Sequence, residues 1–194
     1  MRVALALVHH PVHDRLGDIV TTAVTNLDVH DIARSCRTYD VERYFVVSPI
    51  EAQWRVVERI LEHWTEGAGR ERVPQRGEAL SRVELVPSLA KAKAHAAERF
   101  GVEPRLLATG ARPAEGTELC SYPEARDLVA RQVPLLLVFG TGHGLAAPAL
   151  AQCAGSLPPI RPGRYNHLSV RAAVAITLDR LFGDGCVDEL KAPC

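Results

Sequence analysis

Three glycines spaced two apart, Gly140, Gly142 and Gly144, close the apolar stretch "LLLVFGTGHGL". A hydrophobic strand that empties into a glycine-rich turn often holds a nucleotide-like ligand. A dinucleotide fingerprint needs G-x-G-x-x-G opening a full helix, with an acidic residue about 20 positions later on the ribose. Here the pattern is G-x-G-x-G, Pro148 interrupts the helix that should come after the turn, and no acidic residue appears before Asp179. A phosphate loop needs G-K-[ST], and the turn has no lysine. Both classes of phosphate cradle fail. His9, His10, His13 and His30 match no zinc spacing, and neighbours His9 and His10 point to opposite faces of a strand end, so no metal is expected. His10 and His30 suit proton carriage or polar contact at element ends. Arg70, Arg72 and Arg76, with Arg82 nearby, form a basic stretch that suits phosphates.

The elements that must position these residues alternate. "RVALALV" reads as a buried strand over Val3 to Val8, and Asn26 or Asp28 can cap a helix with Val29, Ile32, Ala33, Cys36 and Tyr39 at helical spacing. "RYFVV" is a second strand, and the helix "EAQWRVVERILEHW" carries Trp54, Val57, Leu61 and Trp64 on one face, placing both tryptophans in core or interface. "GAGRERVPQRG" reads as loop, and "RVELVP" as a third strand. Ser88 starts a helix that Gly101 stops. "PRLLATGAR" is a strand and turn, "SYPEARDLVARQ" a helix, "PLLLVFG" a fifth strand. After the glycine turn the prolines leave room for about one or two turns of helix before a loop and a long last helix begun by Ser169. Continuously apolar strands alternating with helices predict one α/β domain over 1–194, with a parallel sheet between helix layers in a three-layer α/β/α arrangement.

Charge and cysteines narrow the setting. Lys plus Arg equals Asp plus Glu, 23 each, so an anionic partner must be met by a local patch rather than a general field. Five scattered cysteines without C-x-x-C, and no leader pattern, read as reduced thiols in a cytoplasmic protein. No apolar run is long enough for a membrane span.

Three segments resemble the SPOUT (α/β-knot) superfamily of methyltransferases. "NLDVHDIARSCRTYDVERYFVV" is similar to its first motif, with Asn26, Ile32, Ala33 and Arg34 at the matching places. "LLLVFGTGHGL" is similar to the second, with His143 where an acidic residue is usual. "LPPIRPGRYNHLSVRAAVAITLDRL" is similar to the third; His167 stands where ribose-methylating relatives have asparagine, with Asn166 one step earlier. Order and spacing agree, and the likeness extends over nearly the whole chain to a bacterial branch of predicted RNA methyltransferases.

The resemblance implies a C-terminal trefoil knot, S-adenosylmethionine as cofactor, tRNA or rRNA as partner and a homodimer in the cytoplasm. It implies a cofactor pocket from three turns: Thr109 and Gly110; Phe139, Gly140, Thr141, Gly142, Gly144 and Leu145; Ile160, Asn166, His167, Leu168 and Ser169. S-adenosylmethionine has no phosphate, which suits a turn without lysine. Glycines would let backbone approach the adenine, with Leu145, Ile160 and Leu168 as its apolar walls. Arg34, and with it Asn26, would act on the acceptor, with I-A-R leaning toward the ribose 2′-oxygen over a base nitrogen. His10, His30 and the Arg70–Arg76 stretch would contact RNA. Two alternatives stand beside this: a non-catalytic module binding S-adenosylmethionine and RNA, and a nicotinamide-dependent reductase, disfavoured by the broken crossover. The last helix is apolar around most of its circumference, which predicts burial against a second subunit as well as its own sheet.

Overall fold

Val3–Val8 form a strand in which all six residues are buried, as only a strand covered on both faces permits. This strand is central in a computed structural model that describes residues 1–183 apart from 115 and 164. The elements run β1 (Val3–Val8), β2 (Val12–His13), β3 (Ile19–Val20), α1 (Asn26–Thr38), β4 (Arg43–Val47), α2 (Glu51–Thr65), α3 (Ala68–Arg72) and α4 (Pro74–Leu80). They continue β5 (Val83–Val86), α5 (Leu89–Phe100), β6 (Arg105–Ala108), α6 (Tyr122–Ala130), β7 (Leu135–Gly140), α7 (Ala147–Leu150), β8 (Gly155–Ser156) and α8 (Val170–Phe182). Six strands make one sheet in the order β5-β4-β1-β7-β6-β8, and all its pairings are parallel.

Side chains alternate between two cores. Val3, Leu5 and Leu7 face a core built with α1, α2, α4, α6 and α8, whereas Ala4, Ala6 and Val8 face one built with α5 and α7. The small residues on the second face let α5 lie close to the sheet through Ala92 and Ala96. The three-layer α/β/α arrangement expected from the alternation is therefore present.

Four local features differ from the sequence reading. The cap of α1 is Thr25, whose hydroxyl accepts from Asp28 N at 3.1 Å and donates to Asp28 Oδ2 at 2.6 Å; this leaves the other Asp28 oxygen for Arg171. The stretch from Gly67 to Gly77 is not loop but α3 and the start of α4. Its glycines serve close packing: a Cβ at Gly69 would sit 2.7 Å from Trp64 Cε3, and one at Gly77 would collide with the Trp64 carbonyl. Residues 12–20 form a small antiparallel hairpin, β2–β3, whose turn is held by Asp14 Oδ1 accepting from Leu16 N and Asp18 N. The segment after α7, expected as loop, contributes a sixth strand: β8 pairs with β6 at Leu107–Gly155 and Ala108–Ser156.

Cys36 and Cys120 are buried free thiols and Cys153 is half-buried. Cys186 and Cys194 lie outside the described residues. Among the described residues no helix is long and apolar enough to cross a membrane.

Candidate functional site

Because β7, β6 and β8 are parallel neighbours, the three turns that come after them emerge at one edge of the sheet, where open α/β sheets bind ligands. Thr109 N and Thr109 Oγ1 both donate to Val138 O, at 2.9 and 3.1 Å, joining the first turn to β7. Leu157 N donates to Ala108 O at 2.8 Å, and Asn166 Nδ2 donates to Ala111 O at 3.0 Å, tying the third turn to the first. All thirteen residues expected around a cofactor thus belong to one connected group of turns. Gly110, His167 and Leu168 are exposed, Ile160 is half-buried, and Ser169 caps α8 by accepting from Ala172 N. The Phe139 side chain lies in the core beneath α1 and α8, and Leu145 lies in the core on the other face.

The glycine turn is folded against the protein itself. A Cβ on Gly140 would meet Leu145 N at 2.7 Å, and one on Gly142, where φ is +60°, would meet His13 O at 2.7 Å. The clamp is completed by His143 N donating to His13 O at 2.8 Å and His13 N donating to Gly144 O at 2.9 Å. The sequence pattern suggests that these side chains are missing so that a ligand can approach. At Gly140 and Gly142 the space belongs instead to the chain's own backbone.

A hydroxyl relay crosses the centre of this edge. Thr141 Oγ1 donates to Val8 O at 3.1 Å, so the Thr22 hydroxyl, 2.5 Å from it, is the donor of that pair. The His9 ring joins through Nδ1, 3.1 Å from Thr22 Oγ1, and its Nε2 is buried without a hydrogen-bond partner among the described residues. Burial lowers the His9 pKa to about 4, against an opposing pull from the Asp28 carboxylate. A histidine that stays neutral in the folded state while the unfolded chain protonates near 6.5 stabilises the fold above that pH. Stability is lost as pH falls from about 6.5 towards 4. Urea unfolding should therefore show roughly 3 kcal/mol of acid destabilisation from this group across that window, and His9→Gln should remove that part of the slope. A variant with the wild-type slope would show that another group titrates.

The two residues expected to act on the acceptor belong to α1. Arg171, two residues into α8, binds Asp28 Oδ1 at 3.0 Å and Asp31 Oδ2 at 3.4 Å, so the N-terminal ends of α1 and α8 adjoin. Asn26 opens α1 and Arg34 lies further along the same helix. They line a cavity of about 480 Å³ between α1, α2 and α4, with His30, Arg59, Trp64 and Arg76 among its other walls. None of the thirteen cofactor candidates lines it. Trp54 donates from Nε1 to Ser48 O at 2.7 Å and is half-buried; Trp64, also half-buried, packs against the core as expected. Arg82, expected near Arg76, instead pairs with Asp40 at 3.4 Å and donates to Val41 O. His10 takes a hydrogen bond with Thr21 Oγ1 at 3.0 Å. Among the described residues no group of three His, Cys, Asp or Glu stands together to hold a metal.

Sequence reasoning missed Asp28, Arg171, Thr22 and the β2–β3 hairpin as parts of the site. The pairing of Asp28 with Arg171 spans 143 positions, and no local pattern announces it. Thr141 and Thr22 are 119 apart for the same reason.

Architecture and connectivity define the class: the fold is that of the SpoU/TrmH (SPOUT) methyltransferases. The chain is superimposable on TrmJ from Z. mobilis with a TM-score of 0.62 over 98% of this chain and 71% of that one, at 14% identity. It matches the A. aeolicus TrmH/SpoU tRNA modifying enzyme with a TM-score of 0.54 over 97% and 78%, at 11% identity. The family described as SAM-dependent RNA methyltransferase matches residues 2–183, and the chain belongs to it; its cofactor is S-adenosylmethionine. A protein of Aquifex aeolicus without a functional name is 39% identical over 181 residues, 93% of this chain and 88% of that one. The tRNA (guanine-N(1)-)-methyltransferase of Oleidesulfovibrio alaskensis is 43% identical over 180 residues, 92% of this chain but 41% of that protein. The chain thus spans about two fifths of the length of that relative and of its counterpart in Nitratidesulfovibrio vulgaris.

Proposed function

We propose that residues 1–194 act as one catalytic domain that methylates a nucleotide of tRNA, in the cytoplasm, as a homodimer. The observation that carries this is the division of labour in the site. Three joined turns without a lysine lie at the strand ends, and none of the expected cofactor residues lines the cationic groove that holds Arg34 and Asn26.

The turns fit S-adenosylmethionine by the chemistry of their donors. The backbone N–H groups of Ile160 and Leu168 have no hydrogen bond among the described residues, and the third turn carries the apolar side chains of the same two residues. Free amides and apolar surface suit an adenine edge and face. Thr109, Gly110, Phe139 to Gly142, Gly144, Leu145, Ile160 and Asn166 to Ser169 would hold the cofactor, which supplies an electrophilic methyl group. Catalysis by the chain is then largely orientation. The Asp28–Arg171 pair fixes α1 against the start of α8, and the Thr141–Thr22–His9 relay fixes the glycine turn against β1. Arg34 offers the five donors of a guanidinium to an acceptor that gains negative charge as it loses its proton; Asn26 orients that acceptor.

Two acceptors fit. A ribose 2′-oxygen, the reading of the I-A-R motif, requires a cation beside the developing alkoxide, which Arg34 supplies. Guanine N1, the acceptor in the name of the curated relatives, requires a group to take its proton, and Asp31 lines the same groove. The comparisons lend the ribose reading no support, and the unmatched three fifths of those relatives keeps the guanine reading a proposal. Mass analysis of tRNA nucleosides from cells lacking the gene decides: loss of a 2′-O-methylnucleoside or of 1-methylguanosine identifies the acceptor, and unchanged tRNA refutes the proposal.

The dimer rests on two observations. α8 packs on the sheet through Val174, Leu178 and Leu181 and is flanked by α1 and α6, yet Ala172, Ala173, Ala175 and Ile176 stay partly open. None of the expected cofactor residues lines the groove that holds Arg34, so a partner's turns would complete the site. Sedimentation should give twice the 21.1 kDa chain mass. Ala173→Arg should give monomers without transfer activity, and a wild-type monomer with full activity would refute the dimer. The path from edge strand β8 back to α8, beside α1, is the one along which a trefoil knot would be tied.

A further inference from the structure

The groove between α1, α2 and α4 has a wall that the cofactor and acceptor roles do not use. Arg59 from α2 and Arg76 from α4 stand with Arg34 around a cavity of about 480 Å³, within the size range of small-molecule sites. Three guanidiniums on one concave surface repel one another unless anions balance them. Among the described residues none of the three forms an ion pair, and Asp31, the acidic residue lining the groove, is already engaged by Arg171. A second cavity, of about 850 Å³ at the opposite end of the sheet, shows the contrast. It too is lined by three arginines, Arg43, Arg82 and Arg99, and each is matched by a carboxylate: Glu84, Asp40 and Glu42. One cavity is internally neutralised and the other is not.

The rest of the groove favours a phosphate over a base. The guanidinium of Arg76 lies 4.6 Å from the centroid of the Trp64 ring, and Gly69 packs against the same side chain, while His30 and His63 meet it edge-on. Trp64, half-buried and covered by Arg76, acts as the shelf that holds that guanidinium. The positive charges of Arg76 and Arg34 join burial in lowering the pKa of His30, a second sign of unbalanced positive potential. We propose that this groove seats the sugar–phosphate backbone of the RNA, with Arg59 and Arg76 as phosphate contacts beside Arg34. The contacts are blind to base identity, so they fix where the substrate lies rather than which nucleotide is chosen. The proposal rests on the RNA-methyltransferase reading above and adds the surface that reading leaves unassigned.

Binding of unfractionated bacterial tRNA by the full chain, without cofactor, over a series of salt concentrations tests it. Arg59→Ala with Arg76→Ala should lower the slope of log affinity against log salt by about two, and Arg59→Ala alone by about one. Calorimetric affinity for S-adenosylmethionine should not change. Lys91→Ala with Arg131→Ala removes the same charge from exposed positions elsewhere and should leave the slope nearly as in the wild type. Among the described residues Arg59 forms no ion pair, so its variant remains informative if the Arg76 change disturbs Trp64. Wild-type slopes in the groove variants, or equal losses in the control pair, overturn the proposal while leaving RNA binding intact. A wild-type chain that binds no tRNA overturns both this and the function proposed above.

Discussion

Arg34→Ala is expected to lower methyl transfer about 10²- to 10³-fold in kcat while leaving affinity for S-adenosylmethionine unchanged, the loss typical of one donor aimed at developing charge. Arg34 is exposed and forms no ion pair among the described residues, so its removal should shift folding stability by no more than about 0.5 kcal/mol. Inactivity would then report on chemistry and not on the fold. None of the three turns at the strand ends lines its groove, which is why cofactor affinity should be spared. Arg34→Lys keeps the charge but loses the planar fork, and should recover only part of the rate. Filter-binding assays of labelled methyl incorporation, paired with calorimetry, measure both quantities. Wild-type transfer by the alanine variant would remove Arg34 from the mechanism, and a parallel loss of cofactor affinity would reassign it to the cofactor site.

The legible parts of the chain were those whose signal is local. Continuous apolar runs placed β1 and β7, because a strand buried on both faces tolerates few polar residues, and shorter apolar runs placed β4, β5 and β6. Ser88 and Ser169 announced two helix starts through caps that act within three residues. What escaped had its cause far away in sequence. Gly69 and Gly77 carry the composition of a loop, yet they are small because Trp64 presses on them, and only the packed α2–α4 unit reveals that. β8 has two residues, too few for any period, and is a strand because Leu107 and Ala108 offer it a free edge. Asp28 read as a cap, whereas Thr25 caps and Asp28 binds Arg171, 143 positions on. The site was legible as motifs and not as geometry. Asn26 and Arg34 do share one groove, but the spacing could not say that Arg59 and Arg76, from the next helices, share it too.

Gly142→Val should abolish measurable binding of S-adenosylmethionine, and the structural reason differs from steric exclusion of the ligand. At φ +60° a β-branched residue is a backbone outlier, costing of the order of 1–3 kcal/mol even with open space around it. Space is lacking: the new Cβ would lie 2.7 Å from His13 O, and a backbone carbonyl cannot rotate away as a side chain can. Relief requires the turn to leave β2, breaking the bonds from His143 N to His13 O and from His13 N to Gly144 O. Those bonds hold the turn after β7, so the damage should concentrate where the cofactor is expected. Gly101→Ala separates the two causes. Gly101 also has a positive φ, +71°, but its Cβ would meet nothing within 4 Å, and it ends α5, an element that contributes none of the expected cofactor residues. That variant should lose roughly 1 kcal/mol of stability and bind cofactor normally. Calorimetric titration of both variants, with their thermal midpoints, distinguishes local clash from general strain. If Gly142→Val binds with wild-type affinity, the cofactor does not depend on this turn, and the pocket at the ends of β6, β7 and β8 is wrongly assigned.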